Sequence, residues 1–297
     1  MRYEEFIAHI KENMSACFGR EKKIRINKVI KNNDKELDAL VIISEENPVT
    51  PTVYLNDYYT DYLEGRDIED IVEEIFHIYE SHYMTLDFDV NKFMNYNEVK
   101  DRIAYKVVNR EKNKKYLKDV PFIPFLDLAI VFYYMLDNSN EGNAIAVIHN
   151  SHIDLWKIDK ETLYKKALEN TPKLLPYSLQ SMEDVIHELI RTGEYPYCVE
   201  EDDSPVMYVL TNNKKFYGAS AILYEDVLKN FAESLKMDIF VLPSSVHEVI
   251  LVPDMGGVNK EELTMMVKDV NSKEVSESDI LSDHAYIYRY EEGVLCE

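Results

Sequence analysis

Apolar residues near the start of the chain recur first at helical and then at strand spacing. Residues 3–17 carry apolar side chains at steps of three and four, which predicts an amphipathic helix. Residues 23–31 alternate, residues 37–43 form a second β-type run, and Asn32-Asn33-Asp34 between them suits a turn because these residues tolerate left-handed backbone angles. The pattern therefore predicts a β-hairpin behind one helix.

Two further helices are predicted before residue 120, and their charges differ in sign. A continuous apolar stripe predicts a helix over 68–83, and Val99, Ile103, Val107 and Tyr105 are the inward positions of a predicted helix over 98–110. Residues 57–89 hold eleven acids against one base, whereas residues 92–118 hold nine bases against three acids. The two helices could pack antiparallel and partly neutralise each other, or they could form two separate docking faces.

The second part of the chain alternates between apolar strands and short helices. We expect strands over 125–136 and 144–149 to pair antiparallel across a polar loop. Further strands are predicted over 206–210, 238–242, 247–252 and 285–290. Helices are predicted over 151–157, 160–169, 181–190, 218–235 and 258–270.

Together these elements predict an α+β protein. Residues 1–120 would form an N-terminal β-hairpin with helices, and residues 121–297 a mostly antiparallel sheet with helices on one face. The boundary near Lys118 is soft, and a single continuous domain is the alternative.

Composition narrows the possible partners. The chain has 297 residues with 33 Lys and Arg against 55 Asp and Glu, a formal net charge of −22. This acidic balance argues against direct nucleic-acid binding and against anionic membrane, since both need a basic face. The longest apolar run, 128–136, is too short to span a bilayer, and the first residues lack the basic and apolar regions of a signal peptide. Three widely spaced cysteines fit a reducing compartment, so we expect a cytoplasmic protein.

Histidines offer one candidate for chemistry. His149 and His152 have an HxxH spacing at a predicted strand-to-helix boundary, and an acid brought in by folding could complete a metal site with them. Two such residues three apart also occur by chance. His187-Glu188 lacks the second histidine of a zincin, because Arg191 stands at that position. We therefore expect no cofactor, with His149 and His152 as the weak metal candidates.

A second candidate lies in the turn Pro243-Ser244-Ser245-Val246-His247-Glu248. On a strand, Ser245 and His247 point to the same face, so they could form a nucleophile and its base, with Glu248 as a nearby acid. The alternative is a hairpin turn in which the serine bonds to the backbone and the histidine fills a polar gap.

Tyrosine is the third feature, with 22 Tyr against 11 Phe and one Trp. Several tyrosines crowd one acidic segment, where they are either interface residues or half-buried boundary residues. The predicted interaction surface is Tyr54, Asp57, Tyr58, Asp61, Tyr62 and Glu64.

Four stretches carry a resemblance to a known family. They are PTVYLNDYYTDYLEG (51–65), IDLWKIDKETLYKKALENT (153–171), KFYGASAILYEDVLKNFAESL (215–235) and DIFVLPSSVHEVILVPD (238–254). With them the chain resembles the domain-of-unknown-function 5688 family of Gram-positive gut bacteria. More distantly, the layout of residues 144–171 and the hairpin after it resemble the domain-of-unknown-function 1444 family. The resemblance implies a bacterial cytosolic protein and supplies no catalytic residue.

The sequence thus favours a non-catalytic protein-binding or regulatory module with the acidic, Tyr-rich surface as its contact face. Its partner would be a protein, and a basic one if the surface imitates nucleic acid. The alternative is a hydrolase that uses His149 and His152, or Ser245 and His247, with nearby acids and with or without a metal.

Overall fold

The computed structural model describes residues 1–19, 22–43, 52–83, 89–136, 144–193 and 206–297. The architecture is α+β, as the sequence predicts, with a helix and hairpin first and larger antiparallel sheets after them. Within those residues, no helix combines the length and apolar character that crossing a bilayer requires.

The first region contains three strands and three helices. The strands β1 (Lys23–Ile30), β2 (Glu36–Ile43) and β3 (Val53–Tyr54) form an antiparallel sheet in the order β1-β2-β3, which confirms the predicted hairpin. The helices are α1 (Tyr3–Phe18), α2 (Leu55–Leu63) and α3 (Ile68–Tyr83). Their apolar stripes meet the sheet in one core, whose fully buried side chains include Phe6, Ile10, Leu40, Leu55 and Ile75.

A second sheet follows two short helices, α4 (Val90–Phe93) and α5 (Tyr96–Val99). Its strands are β4 (Ile103–Asn109), β5 (Phe122–Phe125), β6 (Leu128–Met135) and β7 (Ile145–Val147). β6 pairs antiparallel with each of the other three, so the predicted pairing across the polar loop is confirmed. The predicted strand over 125–136 is two strands, because Leu126 adopts a left-handed backbone angle (φ 51°) and turns the chain.

The prediction of a helix over residues 98–110 is wrong. The chain makes one turn of α5, a 3-10 turn over Lys100–Arg102 and then the strand β4. Ile103, Tyr105 and Val107 are buried as predicted, but in a strand, where residues two apart share a face. The packing of an acidic helix against a basic one therefore does not occur.

The third sheet has six strands. They are β8 (Tyr177–Ser181), β9 (Tyr208–Asn212), β10 (Ile239–Leu242), β11 (Val249–Pro253), β12 (Tyr286–Arg289) and β13 (Val294–Cys296). Their order is β13-β12-β10-β11-β9-β8, with every neighbouring pair antiparallel. The helices are α6 (Asn150–Trp156), α7 (Lys160–Leu174), α8 (Met182–Thr192), α9 (Val227–Leu235) and α10 (Lys260–Lys273).

The predicted helix over 218–235 is two segments. A 3-10 helix covers Gly218–Leu223, and α9 begins only after Asp226, whose φ of 60° interrupts the helical path. Gly218 is required here by close packing, since a Cβ would overlap the Thr211 hydroxyl and the His247 carbonyl oxygen.

The hairpin tip fixes the first region against the rest of the chain. Asn33, with a left-handed backbone (φ 59°), donates through its side chain to the carbonyl oxygens of Glu277 and Ile280. The Asp34 carboxylate accepts from the backbone N–H groups of Lys115 and Tyr116, at 2.7 and 2.8 Å. This network forms one end of a cleft between the hairpin and the second sheet. The division at residue 120 stays a prediction.

Candidate ligand-binding cleft

A cleft of about 800 Å³ lies between the hairpin and the second sheet. The hairpin contributes residues from 28 to 37 to one wall, and the opposite wall includes Lys106 of β4, residues 115–120 and β7. Tyr217 and Asp279 close the end near the third sheet. A volume of this size suits a small organic ligand.

The floor of the cleft carries a buried lysine. On β4, Ile103, Tyr105 and Val107 face the main core, so Ala104, Lys106 and Val108 face the other side of the sheet. Ala104 and Val108 pack into two small apolar clusters, and Lys106 stands between them, only 7% exposed. Lys106 thus interrupts an otherwise apolar surface and is oriented by the register of β4 against β6.

The amine of Lys106 has an unusual environment. Its Nζ lies 4.0 Å from the centre of the Tyr217 ring, and it forms no ion pair with any residue that the structure describes. Burial, with the positive charge of Lys31 as a smaller cause, lowers the pKa of Lys106 to about 7, and the charge of Asp279 opposes this shift. A lysine titrating near neutral pH inside a cleft is typical of a functional site.

Tyr217 is positioned by His247. The two rings are nearly parallel, at 9°, with centroids 5.8 Å apart, and the Tyr217 N–H donates to His247 Nδ1 at 3.4 Å. Tyr217 also has a left-handed backbone (φ 51°), which turns its ring over Lys106. Burial raises the pKa of Tyr217, so its hydroxyl keeps its proton at neutral pH.

Lysines outnumber acids around the cleft. Five line it, namely Lys28, Lys31, Lys35, Lys106 and Lys115, against three aspartates, namely Asp57, Asp119 and Asp279. Two of the aspartates lie near histidines: Asp119 Oδ2 is 2.8 Å from His149 Nδ1, and Asp279 Oδ1 is 3.6 Å from His247 Nε2. Lys115 also pairs with Glu36 at 2.7 Å, so the positive charge of the cleft comes from the hairpin lysines Lys28, Lys31 and Lys35 and from the protonated form of Lys106.

The two histidines predicted as metal candidates are neighbours with different surroundings. His149 lines the cleft beside Asp119, and its backbone N–H donates to His152 Nδ1 at 3.0 Å. His152 packs between Phe93 and Trp156, and burial lowers its pKa, with the nearby His149 as a smaller cause. Among the described residues, no group of three His, Cys, Asp or Glu side chains is placed to hold a metal ion.

The serine candidate lies next to the cleft. Ser245 is buried, and its Oγ accepts from the backbone N–H of His247 at 3.0 Å. The His247 ring bonds to the backbone of Tyr217, as described above. Glu248 is half-buried immediately before β11. These hydrogen bonds are those of a turn in which Ser245 stabilises the local backbone, while His247 supports a wall of the cleft.

The acidic, Tyr-rich segment forms a smaller concavity on α2. A cavity of about 420 Å³ is lined by residues that include Tyr54, Asp57, Tyr58, Asp61 and Glu74. The Tyr58 hydroxyl donates to Glu74 at 2.9 Å, and Arg66 pairs with both Glu74 and Asp61.

The other two residues of the predicted surface lie elsewhere. Tyr62 is half-buried and accepts from the N-terminal amine, while Glu64 is exposed beyond the end of α2. Tyr54 and Asp57 line the larger cleft as well, so they are the part of the predicted surface that meets it.

Sequence reasoning missed Lys106 and Tyr217. A signal for Lys106 was present, because the apolar residues at 103, 105 and 107 have a period of two and single out Lys106 on the other face. No sequence signal indicated Tyr217, since its place over Lys106 depends on the contact between β4 and the turn before Gly218.

Comparison with known proteins identifies the family. Residues 3–290 match the family described as Family of unknown function (DUF5688). The chain belongs to this family. The resemblance stated from residues 51–65, 153–171, 215–235 and 238–254 is thereby confirmed, and the more distant likeness to the 1444 family stays a prediction. Neither a curated protein nor a solved structure matches the chain.

Proposed function

We propose that this protein is a binding module whose cleft receives an anionic small molecule. The observation that carries the proposal is Lys106, a buried amine that lines a cleft without an ion-pair partner among the described residues. A buried ammonium group without a counter-charge is unfavourable, and a bound carboxylate or phosphate would supply that charge. A bound anion would therefore balance the charge of the Lys106 ammonium group.

The lysines on the hairpin wall of the cleft also favour an anionic ligand. Lys31 lies over the Tyr54 ring at 4.4 Å and affects the titration of Lys106. Lys28 and Lys35 line the cleft on the same hairpin wall. Three hairpin lysines on one wall of the cleft, with Lys106 at its floor, would attract an anion even to a chain with negative net charge.

Isothermal titration calorimetry with pyrophosphate tests the proposal. We expect saturable binding with one site per chain and a loss of about tenfold to a hundredfold in affinity for Lys31→Gln, since a charge-assisted contact contributes about 1.5–3 kcal/mol. Lys268→Gln is the matched control, because it removes the same charge from an exposed position on α10. Absence of saturable pyrophosphate binding, or equal losses in both variants, would contradict the proposal.

A second binding surface is proposed on α2. The smaller cavity is lined by the carboxylates of Asp57, Asp61 and Glu74 beside two tyrosines. Arg66 already pairs with Asp61 and Glu74. Asp57, which has no ion pair among the described residues, is therefore the carboxylate that suits a Lys or Arg side chain of a basic protein partner. We expect this binding to weaken at high salt and on neutralising Asp57, Asp61 and Glu64 together. Retention of a basic partner by that triple variant in a pull-down at low salt would refute this surface.

The hydrolase alternative has narrower support. It rests on the His149–Asp119 pair in the cleft, since the Ser245 hydroxyl is engaged with backbone. A cytoplasmic location and the absence of direct nucleic-acid binding belong to the proposal too, and they rest on the acidic composition and the spaced cysteines.

A further inference from the structure

The position of Lys106 suits covalent capture of a ligand as well as charge pairing. Its amine lines the cleft from the middle of a paired strand, with the Tyr217 ring face at 4.0 Å. We propose that Lys106 forms an imine with the carbonyl group of an anionic aldehyde or ketone bound in the cleft. This inference rests on the proposed anion-binding function and names the chemical class of its ligand.

The first requirement is a nucleophile held in place. β4 pairs with β6 along its whole length, and Lys106 lies opposite Val131 in that register. Ala104 and Val108 on either side are fully buried, so the backbone that carries Lys106 is enclosed by packing. β4 is an edge strand of its sheet, but its full-length pairing with β6 and the buried residues beside Lys106 hold this side chain more closely than a loop would, which favours reaction with a bound carbonyl carbon.

The second requirement is an unprotonated amine, since the ammonium form has no lone pair. Burial is the main cause that lowers the pKa of Lys106 to about 7, so about half of the free protein molecules carry the neutral amine at neutral pH. An ordinary lysine with a pKa of about 10.4 is neutral in fewer than about one molecule in a thousand at that pH. Lys106 is therefore distinguished from the exposed lysines by its surroundings.

The third requirement is a balanced reaction. The amine nitrogen attacks the carbonyl carbon, the C=O electron pair moves to oxygen, and a proton passes from nitrogen to that oxygen to give a carbinolamine. The hydroxyl then takes up a proton and leaves as water, the nitrogen lone pair forms the C=N bond, and the nitrogen releases its remaining proton, which replaces the one taken up. The sum is amine plus carbonyl to imine plus water, with no oxidant or reductant. His149, held by Asp119, and Tyr217 line the same cleft, and their side chains are of the types that transfer protons.

The fourth requirement is a group that orients the ligand. The hairpin lysines Lys28, Lys31 and Lys35 line the wall contributed by β1 and the hairpin turn, whereas Lys106 comes from the sheet. A carboxylate or phosphate held by the hairpin would leave the other end of the ligand to face Lys106. The predicted ligand therefore has an anionic group and a carbonyl group in one small molecule.

Two matched probes test this inference on the intact chain. Pyridoxal 5′-phosphate serves only as a reagent that joins a phosphate to an aldehyde, and pyridoxine 5′-phosphate has an alcohol in place of that aldehyde. Binding of each is measured by calorimetry at neutral pH. The aldehyde sample is then reduced with borohydride, which makes an imine permanent, and the modified lysines are identified by peptide mass mapping.

We expect both probes to bind and Lys106 to be modified at least roughly tenfold more than the median lysine, since its neutral fraction is far larger. Competition by excess pyridoxine 5′-phosphate should reduce modification of Lys106 and leave the exposed lysines unchanged. The mapping uses the natural sequence, so the test stays valid even if a Lys106 variant fails to fold. Lys106→Arg adds a second readout, because it keeps the cation and cannot form the imine.

The outcomes separate the two proposals. If both probes bind equally and Lys106 is labelled no more than exposed lysines, imine formation is overturned and anion binding stands. If neither probe nor pyrophosphate binds and labelling is even over all lysines, both proposals fail.

Discussion

Replacing Lys106 with Met should make the folded chain more stable at neutral pH. Met has a similar length and removes the titrating amine while it retains apolar contact with the neighbouring clusters. In the unfolded chain the lysine has a pKa of about 10.4 and stays charged at pH 7. In the folded chain burial lowers that pKa to about 7. The folded state therefore binds its proton more weakly, which disfavours folding wherever the unfolded lysine is charged.

The magnitude follows from this difference. Each pKa unit corresponds to about 1.4 kcal/mol, so at pH 7 the buried amine costs about 4 kcal/mol of folding free energy. Contact of the charged amine with the Tyr217 ring offsets about 0.5–2 kcal/mol of this cost. We therefore expect Lys106→Met to raise the free energy of unfolding by about 2–4 kcal/mol at pH 7.

The pH dependence has a definite sign. Between pH 7 and pH 10 the unfolded chain binds more protons at this residue than the folded chain, so the stability of the natural chain rises with pH relative to the variant. By pH 9 the cost of the buried amine falls to about 2 kcal/mol. Urea unfolding of both proteins at pH 7 and pH 9 measures the difference directly. A variant that is less stable than the natural chain at pH 7, or a difference that is the same at both pH values, would refute the reasoning.

Three other changes test separate parts of the account. Gly218→Ala should cost about 1–3 kcal/mol in urea unfolding, because its Cβ would overlap two oxygen atoms, whereas Gly257→Ala, with nothing within 4 Å, should change little. Asn33→Ala should cost about 1–3 kcal/mol, since it removes side-chain bonds that join the hairpin tip to the rest of the chain; an unchanged urea midpoint would count against that role. Arg66→Gln should raise the pKa of the Glu74 carboxyl, because the bond from Arg66 is the largest cause of its lowered pKa; an NMR titration that finds the same pKa in both proteins would contradict this.

Local pattern was enough to predict much of the fold. The hairpin over residues 23–43 and the helix over 68–83 were predictable because each has a clear period and turn or capping residues of its own. Ser181 was predicted to begin a helix, and its Oγ does accept from the backbone N–H of Asp184. Such signals depend only on neighbours in the sequence.

The wrong secondary-structure prediction arose where the apolar residues of one segment fitted both helical and strand spacing. Val99, Ile103 and Val107 fit a helix, while Ile103, Tyr105 and Val107 fit a strand, and pairing with β6 decides for the strand. That choice also determines the site. In a helix Lys106 would have been one base of a charged face, whereas in β4 it lies at the floor of the cleft.

Single residues of the candidate site could be predicted from the sequence, but the cleft that they surround could not. His149 and His247 were selected as reactive residues, and the structure places one in the wall of the cleft and the other behind Tyr217. The cleft itself depends on the docking of the hairpin tip through Asn33 and Asp34, which joins residues about 80 and 240 positions apart. Contacts over such separations leave no periodic trace in one sequence.

Titration of Lys106 by NMR, with and without pyrophosphate, tests the central claim most directly. Lysines labelled with carbon-13 at Cε report the charge of each amine, and Lys106→Met assigns the signal. The account predicts that Lys106 titrates near pH 7 in the free protein and that pyrophosphate raises its pKa, because a bound anion favours the ammonium form. A Lys106 signal that titrates near its ordinary pKa of about 10.4 and does not respond to pyrophosphate would contradict it.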